Sequence, residues 1–405
     1  MEWTILSRIS NYNNFIKRLE EMYTLKNKKT NEYIYKDFSD IFIKKELASG
    51  VEGIVYKALF KKHKGKNNQF VIKKINLRAI KRDKGITKKE LNLTPDELYT
   101  LFYTNKSFKK PSLIEIISST LTNQLVFQNI CPHFAINYYW DYQNNVISLY
   151  NEYINYTFES WSEQKHSNQV WFNALFQIMY ALASIKRIFN MLHTDLHIGN
   201  ILVQKIKKGG YWIYKLDNVD YYVPNLGYVF IISDFGFSWI PNKLFIPWYY
   251  KNRLQYITKN GQQFYDLNDI IDSIKQIKTI PDYFASELDR LFDRKELLVV
   301  TSKYYQNFIL NLQLNYYEIN NIDYPTNIDK SYSGLKNTIA DKIYDIFFVG
   351  NFTKKKRLNI QDITYSYIIK NSVLIDTYSL DKPFDHSKLS PNFQLLLKKK
   401  PKKRL

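Results

Sequence analysis

The chain has 405 residues, 45% of them hydrophobic and 17% aromatic, enough to bury real cores in about two or three domains. A single cysteine, Cys131, excludes an internal disulfide, and no N-terminal apolar run long enough for a signal peptide or membrane span precedes the first charged residues, so an intracellular, non-secreted protein without a transmembrane segment is expected. Lys and Arg outnumber Asp and Glu by 58 to 38, a net charge of +20, which draws nucleic acid, anionic membrane or acidic protein surfaces; part of this reflects the Lys-, Asn-, Ile- and Tyr-rich usage of AT-rich genomes, so nucleic acid is a compatible partner and not a required one.

Residues 1 to about 40 are polar, with a helical stretch around Phe15 to Tyr23, and read as an extension that packs on the surface or stays mobile. From Phe42 to Ala58, apolar residues flank a turn containing Gly50 and Gly53. This predicts a hairpin whose glycines permit close backbone approach, although two glycines in a hairpin, taken alone, are more often just a turn. The next β-like run, Gln69 to Ile75, alternates so that Lys73 faces inward and Lys74 faces solvent.

Residues 76 to 110 form a long basic insertion. Within and after it Glu90, Glu97 and Glu115 each stand three residues beyond Thr87, Thr94 or Ser112, so each fits the acidic half of a capping box. Glu115 heads the longest helix-like run, with Ile114, Ile117, Leu121 and Leu125 on one face. Val146 to Ile154 passes from an apolar strand to a polar segment. Between Val170 and Met191, Trp171, Leu175, Ile178, Leu182, Ile185 and Phe189 recur at helical spacing and mark a buried stripe.

That helix delivers the chain to Leu192-His193-Thr194-Asp195-Leu196-His197-Ile198-Gly199-Asn200, followed by the short strand Ile201-Leu202-Val203. A carboxylate and an amide five residues apart, between an apolar helix and an apolar strand, suit a loop that meets a hydroxyl and a metal. Residues 204 to 227 predict an inserted hairpin, and Tyr228 to Phe237 an apolar strand ending in Asp234-Phe235-Gly236. Asp266, at the head of another apolar helix, either braces the loop backbone or caps its own helix. The end, Lys398 to Arg404, is a basic run: a solvated tail, a localisation signal or an electrostatic tether.

In order, these pieces match G-x-G-x-x-G-x-V with Ala48 in place of the first glycine and Gly50, Gly53 and Val55 in register, then V-A-I-K at Lys73, H-x-D-L-x-x-x-N at His193 to Asn200, and D-F-G at Asp234. The chain resembles eukaryotic-like serine/threonine protein kinases over about residues 40 to 280. With its composition and the insertion before D-F-G, it resembles more narrowly those of nucleocytoplasmic large DNA viruses. The resemblance implies an α+β, bilobal fold with a small, mostly antiparallel β N-lobe carrying one main helix, and a larger helical C-lobe. The boundaries expected are an extension over 1–40, an N-lobe over 41–152, a C-lobe over 153–380 and a basic tail over 381–405.

It also implies ATP and Mg2+ as cofactors and phosphoryl transfer to a protein hydroxyl, with an acidic protein substrate favoured by the basic charge, in the host cytoplasm or the virion. Asp195 would accept the hydroxyl proton. Lys73, steadied by Glu115, would pair the α/β-phosphates; Asn200 and Asp234 would hold the metal. Gly50, Gly53 and Val55 would cover the phosphates, Asn151 would be the gatekeeper, and Glu152 to Ile154 the hinge meeting the adenine edge.

Three departures bear on substrate and regulation. Thr194 replaces the arginine before the catalytic aspartate, which removes a main cation of the pocket for an activation-loop phosphate. His197 stands where serine/threonine kinases usually carry lysine, and H-x-D-L-H-x-G-N is also similar to small-molecule kinases of the aminoglycoside and choline type. No A-P-E follows D-F-G. A small-molecule kinase and a catalytically silent scaffold binding protein or nucleic acid are therefore the alternatives.

Overall fold

The computed structural model describes residues 3–23, 41–50, 53–61, 69–77, 108–216, 219–240, 243–244, 265–291 and 373–385. The expectations placed on most of the 76–110 insertion, including Glu90 and Glu97, and on the basic tail from residue 386 lie outside the described residues. The architecture is α+β, and the chain divides into two compact units.

The first unit comprises the chain up to Ile154, Asp234–Ile246 and the chain from Phe384. Its centre is a five-stranded antiparallel sheet of order β1-β2-β3-β5-β4, built from β1 (Ile41–Gly50), β2 (Gly53–Phe60), β3 (Gln69–Asn76), β4 (Asn137–Gln143) and β5 (Val146–Glu152). Period-two alternation assigns the residues of β3 to two environments. Lys73 is turned toward α2 (Pro111–Phe127), while Phe70 joins the aromatic cluster of α1 (Ile5–Tyr23).

Helix α1 is longer than the stretch expected from sequence and is part of the core. Phe15, itself buried, sits 5.1 Å from the Phe70 ring centroid, 5.0 Å from that of Tyr138 and 5.4 Å from that of Phe60. Tyr12, Ile16 and Leu19 are buried beside it. Such aromatic contacts each add roughly 0.5–1.5 kcal/mol beyond the area they bury.

Helix α2 is buried around almost its whole circumference, not on the one face expected. Two of its polar side chains are paired with backbone: Thr120 donates to Ile116 O at 2.8 Å, and Asn123 exchanges two bonds with the backbone of Asn137, at 2.7 and 3.0 Å. Ser112 lies inside the helix and Lys110 is the N-cap residue, so Glu115 is not the acid of a capping box.

The second unit comprises Asn155–Ser233 and Pro247–Pro383. Its long helix α4 (Asn168–Phe189) follows β6 (Tyr156–Thr157) and the short α3 (Phe158–Ser162). Helix α4 carries the expected stripe, of which Trp171, Leu175, Ile178, Ile185 and Phe189 are buried, and ends at Asn190 in the left-handed region, with φ of 53°. Antiparallel strands β7 (Ile201–Lys205) and β10 (Tyr228–Ile232), with β6 on the other edge, form a three-stranded sheet. Gln177 fastens α4 to it, accepting from Phe230 N at 2.9 Å and donating to Tyr228 O at 3.2 Å.

The hairpin expected over residues 204–227 is present as β8 (Tyr211–Leu216) and β9 (Val219–Pro224). It gains an unexpected third strand, β11 (Leu374–Ser379), which runs parallel to β8. Tyr214 joins the layers, 4.8 Å from Tyr180 and 5.0 Å from Tyr378 between ring centroids. The remaining helices among the described residues are α5 (Tyr265–Lys275) and α6 (Asp282–Leu291), whose Phe284 packs 5.6 Å from Trp171.

Asp141 on β4 supplies a test of this packing. Burial raises its carboxyl from 3.8 to about 6, against the opposing pull of hydrogen bonds from Tyr150 and Ser148 and the charge of Lys74. A carboxyl raised in the folded state contributes stability fully present below its unfolded pKa and lost as pH rises through about 6. Asp141→Asn, which does not titrate, should therefore gain roughly 1 kcal/mol on the parent between pH 5 and pH 7, read from urea denaturation at the two pH values. An unchanged difference would contradict the buried position of this carboxyl.

Candidate active site

In the first unit, the inward side chain of β3 meets a helix and a loop. Lys73 Nζ lies 2.8 and 2.9 Å from the two carboxylate oxygens of Glu115, and 3.0 Å from Asp234 Oδ1. The lysine and glutamate side chains are 9% and 6% exposed and that of Asp234 is 36% exposed. An ammonium taken out of water requires such partners, since an unpaired buried charge costs several kcal/mol. Asp234 itself adopts φ of 62°, a conformation that Asp tolerates better than most residues. The next residue, Phe235, is buried 6.0 Å from Phe134 on the segment that links α2 to β4.

The glycine pair closes the β1–β2 hairpin, Gly50 opposite Gly53. Gly53 has a packing reason of its own: a methyl group there would stand 2.4 Å from the carbonyl oxygen of Lys74. Beside Gly50 there is open space. Val55 pairs with Lys73 across β2 and β3.

At the other end of the sheet, Asn151 accepts from Asn137 at 2.7 Å. Glu152 gives its N–H to Ile136 O at 2.9 Å, and its buried carboxylate accepts from Arg8. Ile154 is buried. Arg8 escaped the sequence reading altogether.

In the second unit, the loop after α4 is held from several sides. The Asp266 carboxylate, at the start of α5, accepts from His193 N at 2.7 Å and from Thr194 N at 2.6 Å. This resolves the alternative left open by sequence in favour of the brace. Burial pushes the Asp266 carboxyl up, opposed by the nearby His193 and by these amides. Thr194 has φ of 62° and is fully buried; a β-branched residue in that region is strained by about 1–3 kcal/mol and needs its surroundings to hold it.

His193 contributes from the other side, its Nε2 2.9 Å from Ser233 O. Asn200 donates through Nδ2 to Asp195 O at 2.8 Å and accepts at its own carbonyl from Ser233 N at 2.9 Å. The loop therefore fixes the backbone of Asp195 and sets the Asn200 amide, whose nitrogen is committed and whose oxygen is a hard ligand atom of the kind magnesium takes.

His197 has a local role. Its Nδ1 accepts from Gly199 N at 3.1 Å and caps the 3-10 turn Ile198–Asn200. A methyl at Gly199 would fall 2.8 Å from the imidazole.

No family model matches the chain. Short stretches are similar to curated viral proteins. A stretch of 68 residues is 44% identical to "Probable serine/threonine-protein kinase 380R" of Invertebrate iridescent virus 6, covering 16% of this chain and 13% of that one. Another of 66 residues is 35% identical to "Putative serine/threonine-protein kinase 019R" of Frog virus 3 (isolate Goorha), 16% of this chain and 8% of that one. A longer stretch of 148 residues is 26% identical to "Uncharacterized protein 011L" of Invertebrate iridescent virus 3, 31% of this chain and 20% of that one. The matched stretches cover 8% to 20% of the length of these relatives, and the first two are similar to proteins with kinase names. Among the described residues, no helix is long and apolar enough to cross a membrane.

The Asp266 brace is directly testable. Asp266→Asn replaces one acceptor by a donor that faces a backbone N–H. It should cost about 1–3 kcal/mol in denaturant unfolding, the penalty for a buried group left without its partner. Asp266→Glu, which keeps the charge but moves the oxygens, should recover part of it; equal stability of all three chains would show that the two amide bonds do not hold the loop.

Proposed function

We propose that the chain is a protein kinase that uses magnesium and ATP to phosphorylate serine or threonine hydroxyls of proteins, built on a bilobal fold with an N-lobe over 41–152 and a C-lobe over 153–380. The observation that carries the reading is the Lys73–Glu115–Asp234 arrangement: one buried ammonium held by a helix glutamate at 2.8 Å and by the aspartate of D-F-G at 3.0 Å. Phosphoryl transfer depends mainly on positioning and on charge stabilisation, and these groups supply both.

In this reading Lys73 binds the α/β-phosphates, and Glu115 keeps its ammonium pointed at them. The hairpin over Gly50, Gly53 and Val55 lies against the phosphates, and the backbone of the segment Glu152–Ile154 meets the adenine. Asp195, whose backbone is tied to Asn200, orients the acceptor hydroxyl and takes its proton. Asp234 and Asn200 supply oxygens to magnesium, which when bound neutralises charge developing on the phosphates. The donor set fits that ion, since magnesium takes a few protein oxygens and completes its shell with phosphate and water.

A serine/threonine acceptor on a protein is favoured by the similarity to the two viral proteins with kinase names, and the net charge of +20 favours an acidic one. The locally satisfied His197 gives no separate support to a small-molecule acceptor.

The test is transfer from γ-labelled ATP to a panel of acidic and basic proteins, an aminoglycoside and choline, by the parent chain, Asp195→Asn and Asp234→Ala. Labelled protein from the parent, and a fall of at least 100-fold in both variants, is the expected outcome, since a positioned base alone contributes about 10²–10⁴-fold. Equal transfer by all three, or none by the parent, would refute the assignment; label on the small molecules alone would move it to the other kinase class.

The same assay addresses regulation. Because Thr194 stands where an arginine would meet a loop phosphate, phosphatase-treated parent should keep its full rate. A mass-mapped phosphate between Asp234 and Asp266 whose removal abolishes turnover would contradict that.

A further inference from the structure

The side chain that the kinase reading leaves unused is Arg8. It is completely buried, and each of its guanidinium nitrogens donates a hydrogen bond. Nε donates to Glu152 Oε1 at 2.9 Å and lies 3.2 Å from Oε2; Nη2 donates to Oε2 at 2.6 Å and to Phe134 O at 2.5 Å; Nη1 donates to Pro132 O at 2.5 Å. Trp3 stacks on it, with the guanidinium carbon 4.4 Å from the ring centroid. Glu152 completes the knot by accepting from Ile136 N at 3.3 Å.

What this knot joins is specific. Pro132 and Phe134 belong to the connection by which α2, the helix that carries Glu115, returns to the sheet at β4. Glu152 is the last residue of β5, where the chain leaves the sheet for the segment assigned to adenine. Phe134 packs on Phe235, the neighbour of Asp234. A planar fork with five donors is rigid in a way that an apolar plug is not, so Arg8 sets the distance between these two strand ends as well as filling space.

We propose that α1 is a positioning element of the nucleotide site, acting through Arg8: the guanidinium fixes the start of the adenine segment at Glu152 and, through Phe134 and Phe235, the seat of Asp234. The inference rests on the kinase reading of the same site. Arg8 touches no substrate in it and acts only through these residues. The N-terminal helix is then required for nucleotide affinity, and a partner that pulled it away would switch the enzyme off.

The experiment compares the full-length parent with Arg8→Met, Arg8→Lys and Glu152→Gln, at a temperature where circular dichroism shows each to be folded. The readouts are binding of Mg-ATP by calorimetry, KM for ATP and kcat on a labelled protein substrate. Arg8→Met should raise the Kd and KM for ATP about tenfold or more, with a smaller fall in kcat, and Arg8→Lys should recover part of the affinity. Should Arg8→Met not fold, Glu152→Gln, which keeps the shape and removes one charge of the pair, should show the same rise.

Parent-like Kd and KM in the folded variants would overturn the inference while leaving the kinase reading intact, since Arg8 would then only stabilise the fold. A parent that neither binds Mg-ATP nor transfers phosphate would overturn the kinase reading and this inference with it.

Discussion

The structure of the first unit depends on one cation. Lys73 brings a single positive charge to two carboxylates, in a place where Glu115 has almost no water to help it. At short range in a partly buried site such attractions are worth several kcal/mol gross, and desolvation removes much of that, so the arrangement contributes little net stability and a great deal of geometric constraint. To satisfy it, β3 must present its inward side chain at one level and α2 must dock with Glu115 facing it. The segment after β10 must bring Asp234 back. The near-complete burial of α2 follows from the same requirement, because a helix holding an ion pair in the interior must itself be fixed on all sides.

A second constraint is written in the backbone. Asp234 and Thr194 both adopt φ of 62°. For Thr194 the conformation is costly in itself, and the two amide bonds to Asp266 are what makes it affordable. Strain of this kind persists where the surroundings over-determine it. Here they do so on either side of Asp195: Asp266 holds the N-terminal part of the loop and Ser233 the C-terminal part through Asn200.

The sequence made part of this legible for clear reasons. Alternation in β3 assigns Lys73 and Lys74 to different faces without any knowledge of tertiary structure, and helical periodicity marks α4. Run length and the β-like residues that follow the run single out Glu115 over Glu90 and Glu97, and the Glu115 side chain does face Lys73. What stayed hidden is non-local. Arg8 reads as a surface residue because its partner is 144 positions away, and β11 pairs with β8 across more than 150 positions with no local signal of parallel pairing. Gly53 illustrates a different limit: its spacing fits a phosphate loop, while the contact it makes with Lys74 O gives it a sheet-packing reason that spacing cannot separate from the first.

The distribution of buried acids ties these observations together. In a chain with 58 basic and 38 acidic residues, charge alone would lead one to expect any carboxylate at the surface to find a lysine. Yet Glu115, Glu152, Asp141 and Asp266 are all nearly fully buried. Glu115 and Glu152 each meet a cation, Asp266 meets backbone amides, and Asp141 accepts from Tyr150 at 3.2 Å. Burial dominates at Asp266 and Asp141, whose carboxyls are pushed up, that of Asp141 to about 6. Apolar residues in the places of Arg8 and Glu152 would give comparable stability, but they would not dictate where the two backbone carbonyls of Pro132 and Phe134 lie. A guanidinium does, because each of its N–H groups has one direction. Among the described residues, three groups of buried charges stand where a direction has to be specified: at the lysine of β3, at the turn before Asp195, and at the two strand ends that Arg8 joins.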